Sequence, residues 1–356
     1  MPLPPILAGR AGRRARVFDT GAATRRGTTR PYSVRTHRRF AALLALGLCA
    51  GASAEDYLAA PWLLYRDANP FVAAGGLPFA PPTIAAGDRW RVDAAIAASN
   101  TEIAFAGGGE RLFYDMEIHE ARIAVTRSFG EHWVARATLA GTRFGGGFLD
   151  SFIEDFHRAF GFTNGDRGRL GGNGHTIDYA DSRGDTLALT RARSGVAPLL
   201  LDLAWRAPAD GHEWLVGATL KLPTSHASPL LDDRAIDLSL WLAAQSTAAT
   251  RLPWGLRAGL TRRGDTDLLP RRAEDLVAFV DATLGYSLTS QWSVAAQYQW
   301  HDAPYDSAIP MLRAAGNLSV STAWRARAGW TLRAGLVEDL PARHAQDVTF
   351  FVGLSL

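Results

Sequence analysis

Ser151 and His157, with Asp150, Glu154 and Asp155 around them, supply the parts of a hydrolytic nucleophile and its base. That chemistry needs serine, imidazole and a carboxylate or amide aligned in one hydrogen-bonded line. Six positions apart in a stretch of helical period, the two fall on different faces, so no catalytic residue is expected and the chain reads as not an enzyme. His119-Glu120 and His212-Glu213 begin like the zinc motif HExxH, but Ile123 and Val216 stand where its second histidine belongs. Gly107-Gly108-Gly109 and Gly171-Gly172 precede no helical pattern, so neither a phosphate loop nor a dinucleotide motif is present. His301-Asp302 and Glu338-Asp339 sit at strand ends, where solvated loop residues are commoner than cation ligands. No metal and no cofactor are expected. A more informative set is Arg91, Asp93, Arg136, Lys221, Asp237, Arg257, Asp281 and Arg333, each opposite an apolar face. Charges of mixed sign so placed can pair with one another or select ions, depending on what their face encloses.

The elements that carry them alternate with period two, the signature of strands. Trp90, Val92, Ala94 and Ile96 oppose Arg91 and Asp93; Trp133, Ala135, Ala137 and Leu139 oppose Arg136; Trp214 to Leu222 alternate around Gly217, Thr219 and Lys221. The same reading covers Leu238–Leu242, Trp254–Leu260, Val280–Leu288, Trp292–Trp300, Leu318–Trp324, Trp330–Leu336 and Val348–Leu356, with weaker runs at 112–127, 186–191 and 199–206. Runs of about 8–12 residues at roughly 3.3 Å per residue and a tilt of about 45° match the strands that cross an outer-membrane hydrocarbon layer. Trp90, Trp133, Trp205, Trp214, Trp254, Trp292, Trp300, Trp324 and Trp330 stand near strand ends, as an interfacial girdle requires. An open sheet of this size would leave unsatisfied edges, and closure removes them. The expectation is an all-β, antiparallel transmembrane barrel of about 12 strands (10–14 in range), even-numbered as bacterial barrels are. The apolar/polar phase changes near His119 and Glu120, which predicts a bulge in one long strand.

Residues 1–54 hold 10 of the 38 basic residues and one of the 35 acidic ones, Asp19, so the rest of the chain carries 28 and 34, a net of −6. That acidic body excludes a nucleic-acid partner, which needs a basic surface. Phe40–Ala50 is an 11-residue apolar run, preceded by Arg35, Arg38 and Arg39 and followed by Ala52-Ser53-Ala54. This is the pattern of a cleavable secretory signal, with cleavage expected after Ala54 and an Arg-rich disordered leader before it. Leu48 before Cys49 disfavours a lipoprotein signal, and Phe40 directly after Arg38-Arg39 a twin-arginine one. With Cys49 in the removed segment, the mature chain has no disulfide or thiolate site. The domains expected are 1–54 leader and signal with apolar core 40–50, 55–89 as either a plug or the periplasmic way in, and 90–356 as barrel.

Residues 142–185 break the period. Phe148, Phe152, Phe156 and Phe160 recur every fourth position, joined by Leu149 and Ile153, which predicts an amphipathic helix over about 148–160 in a long loop. It can cap the mouth, lie in the membrane interface or fold inward as a plug.

The block 145–161, GGGFLDSFIEDFHRAFG, resembles the hallmark of a family of bacterial proteins of unassigned activity known as DUF3187. Residues 65–71 (YRDANPF) with 76–79 (GLPF) resemble that family's opening segment, and Lys221-Leu222-Pro223-Thr224 and Val337-Glu338-Asp339 are also similar. Ser225 departs from the Gly that commonly follows the Pro-Thr, and Leu356 from the terminal Phe common in barrels. The resemblance spans most of 60–356 and implies an outer-membrane or periplasmic barrel.

Together these readings predict an outer-membrane barrel exported through a cleavable signal, surrounded by outer-membrane lipid and dependent on the barrel-insertion machinery. The expected function is a narrow channel or uptake protein for small solutes, with the eight charges lining its lumen and Phe148, Phe152, Ile153, Phe156 and Phe160 forming a mouth or plug helix. Two alternatives remain: a structural or envelope-assembly barrel with a filled lumen, and a soluble periplasmic β-barrel holding an apolar ligand. The sequence does not fix the oligomeric state.

Overall fold

The computed structural model describes residues 62–147, 176–225, 228–247, 250–341 and 344–356, with Leu149, Asp155, Arg158 and Gly174 singly. Fifteen strands follow in chain order: β1 (Trp90–Gly107), β2 (Glu110–Phe129), β3 (Trp133–Gly145), β4 (Thr176–Asp181), β5 (Thr186–Leu189), β6 (Arg193–Val196), β7 (Leu199–Ala209), β8 (His212–Leu222), β9 (Asp237–Ser246), β10 (Trp254–Arg262), β11 (Leu276–Ser287), β12 (Trp292–His301), β13 (Ala315–Arg325), β14 (Thr331–Asp339) and β15 (Val348–Ser355). Twelve of them, β1–β3 and β7–β15, form one antiparallel up-and-down wall, which β1 pairing with both β2 and β15, and β3 with both β2 and β7, close into a barrel. The short β4 and β5 extend the sheet from one end of β2, and β6 pairs with the corresponding end of β3. Described helix is scant: α1 (Pro70–Ala73), a 3₁₀ turn at Pro310–Leu312, and the single helical residues Leu149, Asp155 and Arg158.

The barrel is polar inside and apolar outside. Ile96, Leu203, Leu240, Leu256, Val280, Leu284 and Val352 are exposed on the outer wall, while Thr219, Lys221, Ser239, Gln297, Ser319 and Thr349 of the wall strands are buried within. Only a hydrocarbon surround makes that distribution favourable, since in water each large apolar side chain left outside forgoes about 1.5–3 kcal/mol.

The two ends differ. At one, Gly130–His132, Asp210–Gly211, Thr247–Pro253, Leu288–Gln291 and Ala326–Trp330 join strands briefly; at the other, the connections run to 302–314 and 263–275. Short turns mark the periplasmic end of such barrels and long loops the outer one. Trp90, Trp133, Trp205, Trp214, Trp254, Trp292, Trp324 and Trp330 all sit at the short-turn rim, with the Trp324 ring 5.0 Å from Trp330 and 6.4 Å from Trp292. Trp300 alone of the nine is at the opposite end. The girdle is therefore nearly one-sided.

Three expectations need correction. No bulge interrupts β2: its pairing with β1 steps residue by residue from Arg127 to Glu110, across His119 and Glu120. The phase changes because β2 outruns the membrane band. Beyond Ile118 its inward side chains, Met116, Tyr114 and Leu112, enter an apolar core over the outer mouth, so the apolar face changes sides without any change in the pleat. Nor is 142–185 wholly outside the sheet, for Thr142–Gly145 completes β3 and Thr176–Asp181 is β4. The run at 186–191 is β5 of that extension and not a wall strand.

Candidate functional site

Residues 62–87 occupy the lumen as a hairpin without strand pairing. From Trp62 at the short-turn end the chain rises to Asn69, turns through α1 beneath the outer mouth, and descends to Gly87, whose N–H bonds Gly130 O at 2.9 Å beside the start of β1. The local sequence explains the shape. Asn69 accepts from the Phe71 N–H as N-cap of a helix that has Pro70 in its first turn, and Pro78, Pro81 and Pro82 deny the descending arm a ladder. Trp62 fits because Gly255 lies beneath it; a Cβ there would stand 2.5 Å from the indole.

The rising arm meets amides and hydroxyls of the wall. Trp62 Nε1 donates to Gln245 Oε1 at 2.6 Å, Gln297 accepts from the Leu63 N–H at 2.9 Å and donates to its carbonyl at 3.3 Å, and the Tyr65 hydroxyl contacts Thr349 at 3.2 Å. Near the turn, His301 Nε2 lies 3.2 Å from Asp67. Tyr305 donates to Phe71 O at 2.8 Å; burial pushes its phenol up, outweighing the Arg263 guanidinium that bonds it, so it stays a neutral donor.

The descending arm, with Leu64 of the rising one, meets guanidiniums through its backbone carbonyls. Arg136 donates to Ala80 O at 2.7 Å, Arg257 to Pro78 O at 3.3 Å and to Phe79 O, Arg91 to Thr83 O at 3.2 Å, Arg206 to Ile84 O at 2.9 Å, and Arg122 to Leu64 O. Each of these arginines also has a carboxylate in the wall. Arg136 bonds Asp202 at 2.8 Å, Arg257 bonds Asp281 at 2.6 Å, Arg91 bonds Asp93 at 2.7 Å, Arg206 faces Glu213 at 3.7 Å, and Arg122 pairs with Glu120. Such double engagement gives each buried guanidinium a counter-charge in the wall and a second acceptor on the hairpin.

Of the eight charges singled out in the sequence, all lie on the inner face. Arg91–Asp93 and Arg257–Asp281 are paired with each other; Lys221, completely buried, bridges Asp237 at 2.8 Å and Asp233. Arg136 pairs with Asp202, outside the set, and Arg333 makes no ion pair among the described residues. The sequence reading missed Glu120, Arg122, Asp202, Arg206 and Glu213: Glu120 and Arg122 fell where the phase changes, and the other three lie in or beside a weakly alternating run. For 55–89 it offered a plug or the periplasmic way in, and named none of the wall residues that the hairpin meets. His301 turns inward onto Asp67, and Glu338 and Asp339 have partners of their own. Phe148, Phe152, Ile153, Phe156 and Phe160, with Ser151 and His157, lie outside the described residues, as does the signal segment.

Over the outer mouth the loops fold inward. Leu230 and Leu231, Leu268 and Leu269, and Ile309, Met311 and Leu312 pack with Phe71 and with Ile177 and Tyr179 of β4 into one apolar cluster. The short-turn end stays wide: a vestibule of about 780 Å³ opens below Trp62, bounded by Thr83, Ile84, Arg91, Arg206, Arg325 and Arg333 among others.

Residues 69–356 match the family model described as "Protein of unknown function (DUF3187)". No functionally curated protein matches the chain. Among solved structures, the COG4313 outer membrane channel from Pseudomonas putida F1 is similar at 13% identity and a TM-score of 0.50, over 77% of this chain and 95% of its own. The NanC porin is similar at 10% identity and 0.43, over 75% and 99%. At these identities the likeness to the first shows a shared fold, that of a closed outer-membrane β-barrel.

Proposed function

As a member of the DUF3187 family the chain has a shared fold and no inherited activity, and we propose that it is an outer-membrane channel for small polar solutes, held shut by the hairpin 62–87. The carrying observation is the double engagement of the lumen arginines. If the hairpin withdraws toward the periplasm, Arg91, Arg122, Arg136 and Arg206 each lose one carbonyl and Arg257 loses two, and all five keep a carboxylate. Water replaces a carbonyl at a net cost of about 0.5–1.5 kcal/mol per bond, whereas stranding a buried charge would cost about 3–5 kcal/mol. These five guanidiniums thus keep a counter-charge without the plug, as a conducting state demands. Twelve strands are enough to leave a passage once the interior is cleared.

The test is conductance in planar bilayers of the full chain and of a variant lacking residues 62–86. The full chain should stay closed with brief openings, and the deletion should pass steady current. A deletion variant that still migrates as a folded, heat-modifiable barrel and passes none would favour the filled structural barrel instead. Export through the amino-terminal signal belongs to the same proposal, and a mature chain beginning at Glu55 is its expected product.

A further inference from the structure

The vestibule at the short-turn end has a charge imbalance that the rest of the lumen lacks. Inward-facing Arg325 of β13 pairs in register with Thr331, and Ala323 with Arg333 of β14, so the two arginines are diagonal neighbours on one face. Diagonal positions stand about 7–8 Å apart, close enough for like charges to repel. Both line the same vestibule of about 780 Å³. Among the described residues neither guanidinium takes part in an ion pair. Of the acids at this end, Asp93 is already held by Arg91 through Nε at 3.0 Å and Nη2 at 2.7 Å and also accepts from Ser355, Glu213 faces Arg206 at 3.7 Å and accepts from Gln245 at 2.5 Å, and Glu131 lines the same vestibule. Arg91, Arg122, Arg136, Arg206 and Arg257 of the wall each come with a wall acid; Arg325 and Arg333 stand without one among the described residues.

The surroundings are half apolar. The Trp62 indole and Ile84 of the hairpin face the same space, and the Thr83 and Thr331 hydroxyls stand beside the cations. A planar guanidinium fork suits a carboxylate, bound through two parallel N–H donors. An apolar body attached to that carboxylate would lie against the indole.

We propose that this vestibule is a binding site for small organic carboxylates with an apolar body, held by Arg333 and Arg325 with Trp62 as the apolar wall. As a selectivity site it rests on the channel reading, but it exists with the hairpin in place, so binding is measurable without any current.

The experiment uses the full mature chain in detergent micelles and follows benzoate by calorimetry and ligand-observed NMR, with benzamide and inorganic phosphate as comparisons. Benzoate should bind, benzamide at least tenfold more weakly, and Arg333→Gln should weaken benzoate at least tenfold, while Arg333→Lys keeps part of the affinity. Arg333 has no wall partner to strand, so the variants should retain heat-modifiable migration; Arg325→Gln gives a second, independent loss. The proposal fails if benzoate does not bind the wild type, if folded Arg333→Gln and Arg325→Gln bind it undiminished, or if benzamide or phosphate binds as well as benzoate. A closed full chain that binds benzoate, beside a hairpin deletion that never conducts, would refute the channel reading and leave this site standing.

Discussion

The two halves of the lumen are sealed by different physics. Over the outer mouth Phe71, Leu230, Leu268, Met311 and their neighbours form a dry apolar core, whereas from Leu64 down to Ile84 the hairpin meets the wall through hydrogen bonds to guanidiniums, amides and hydroxyls. An apolar contact has no substitute in water, and its loss leaves exposed surface. A carbonyl–guanidinium bond exchanges for water with small net change. The difference teaches where the barrel is latched and where it slides: the tip at Phe71 is the latch, and the arms are a polar sleeve.

The largest effect should come from breaking the latch. Phe71→Ala removes a completely buried ring from the cap, a truncation that costs about 3–5 kcal/mol in a packed core. Because the strand-to-strand pairing of the wall does not run through that ring, the loss should fall on hairpin docking: amides of 69–74 should exchange far faster by mass spectrometry, with heat-modifiable migration unchanged. Exchange as slow as in the wild type would mean that the polar sleeve, not the tip, holds the plug. A smaller effect sharpens the other half of the comparison. Gln297→Leu fills similar space but leaves the Leu63 N–H and carbonyl without their wall partner, and unsatisfied buried groups cost about 1–3 kcal/mol. Exchange should quicken around Leu63 and leave the tip protected.

The wall was legible in the sequence because its rule is local. An outward Leu240 and an inward Ser239 declare themselves by period two, and Arg257 and Asp281 by standing opposite apolar faces in adjacent strands. A plug was one of two readings of 55–89, but its seat was not legible because its partners are remote: Trp62 meets Gln245 183 positions on, Leu63 meets Gln297 after 234, and Tyr65 meets Thr349 after 284. No spacing within 62–87 encodes such pairs. A signal was nonetheless present, since Trp62, Tyr65, Phe71 and Phe79 sit without strand or helix period beside four prolines, and a segment that rich in aromatics has to be buried somewhere. The pairing of Arg136 with Asp202 was hidden for a related reason: β3 and β7 are neighbours only because the long 146–198 excursion returns to the wall, which strand order alone does not reveal.

The smallest expected effect concerns acid and the rim of the cap. Asp181, at the end of β4 outside the membrane band, bonds Arg272 and accepts from the Tyr179 hydroxyl at 3.2 Å and the Asp185 N–H at 2.8 Å. Burial alone would raise its carboxyl, but these donors outweigh burial and hold it below its ordinary value of 3.8. A carboxylate with a depressed folded-state pKa adds stability that is complete above its unfolded value and is lost as pH falls through the folded one. The cap should therefore hold from neutrality to about pH 4 and loosen only below it. In Asp181→Asn this acid dependence should flatten, with β4 exchanging somewhat faster at every pH. If exchange of Ile177 and Tyr179 in the wild type were the same at pH 3 and pH 6 after correction for intrinsic rates, the ionic rim would contribute nothing. The cap would then be apolar contact alone, which makes the contrast with the sleeve still sharper.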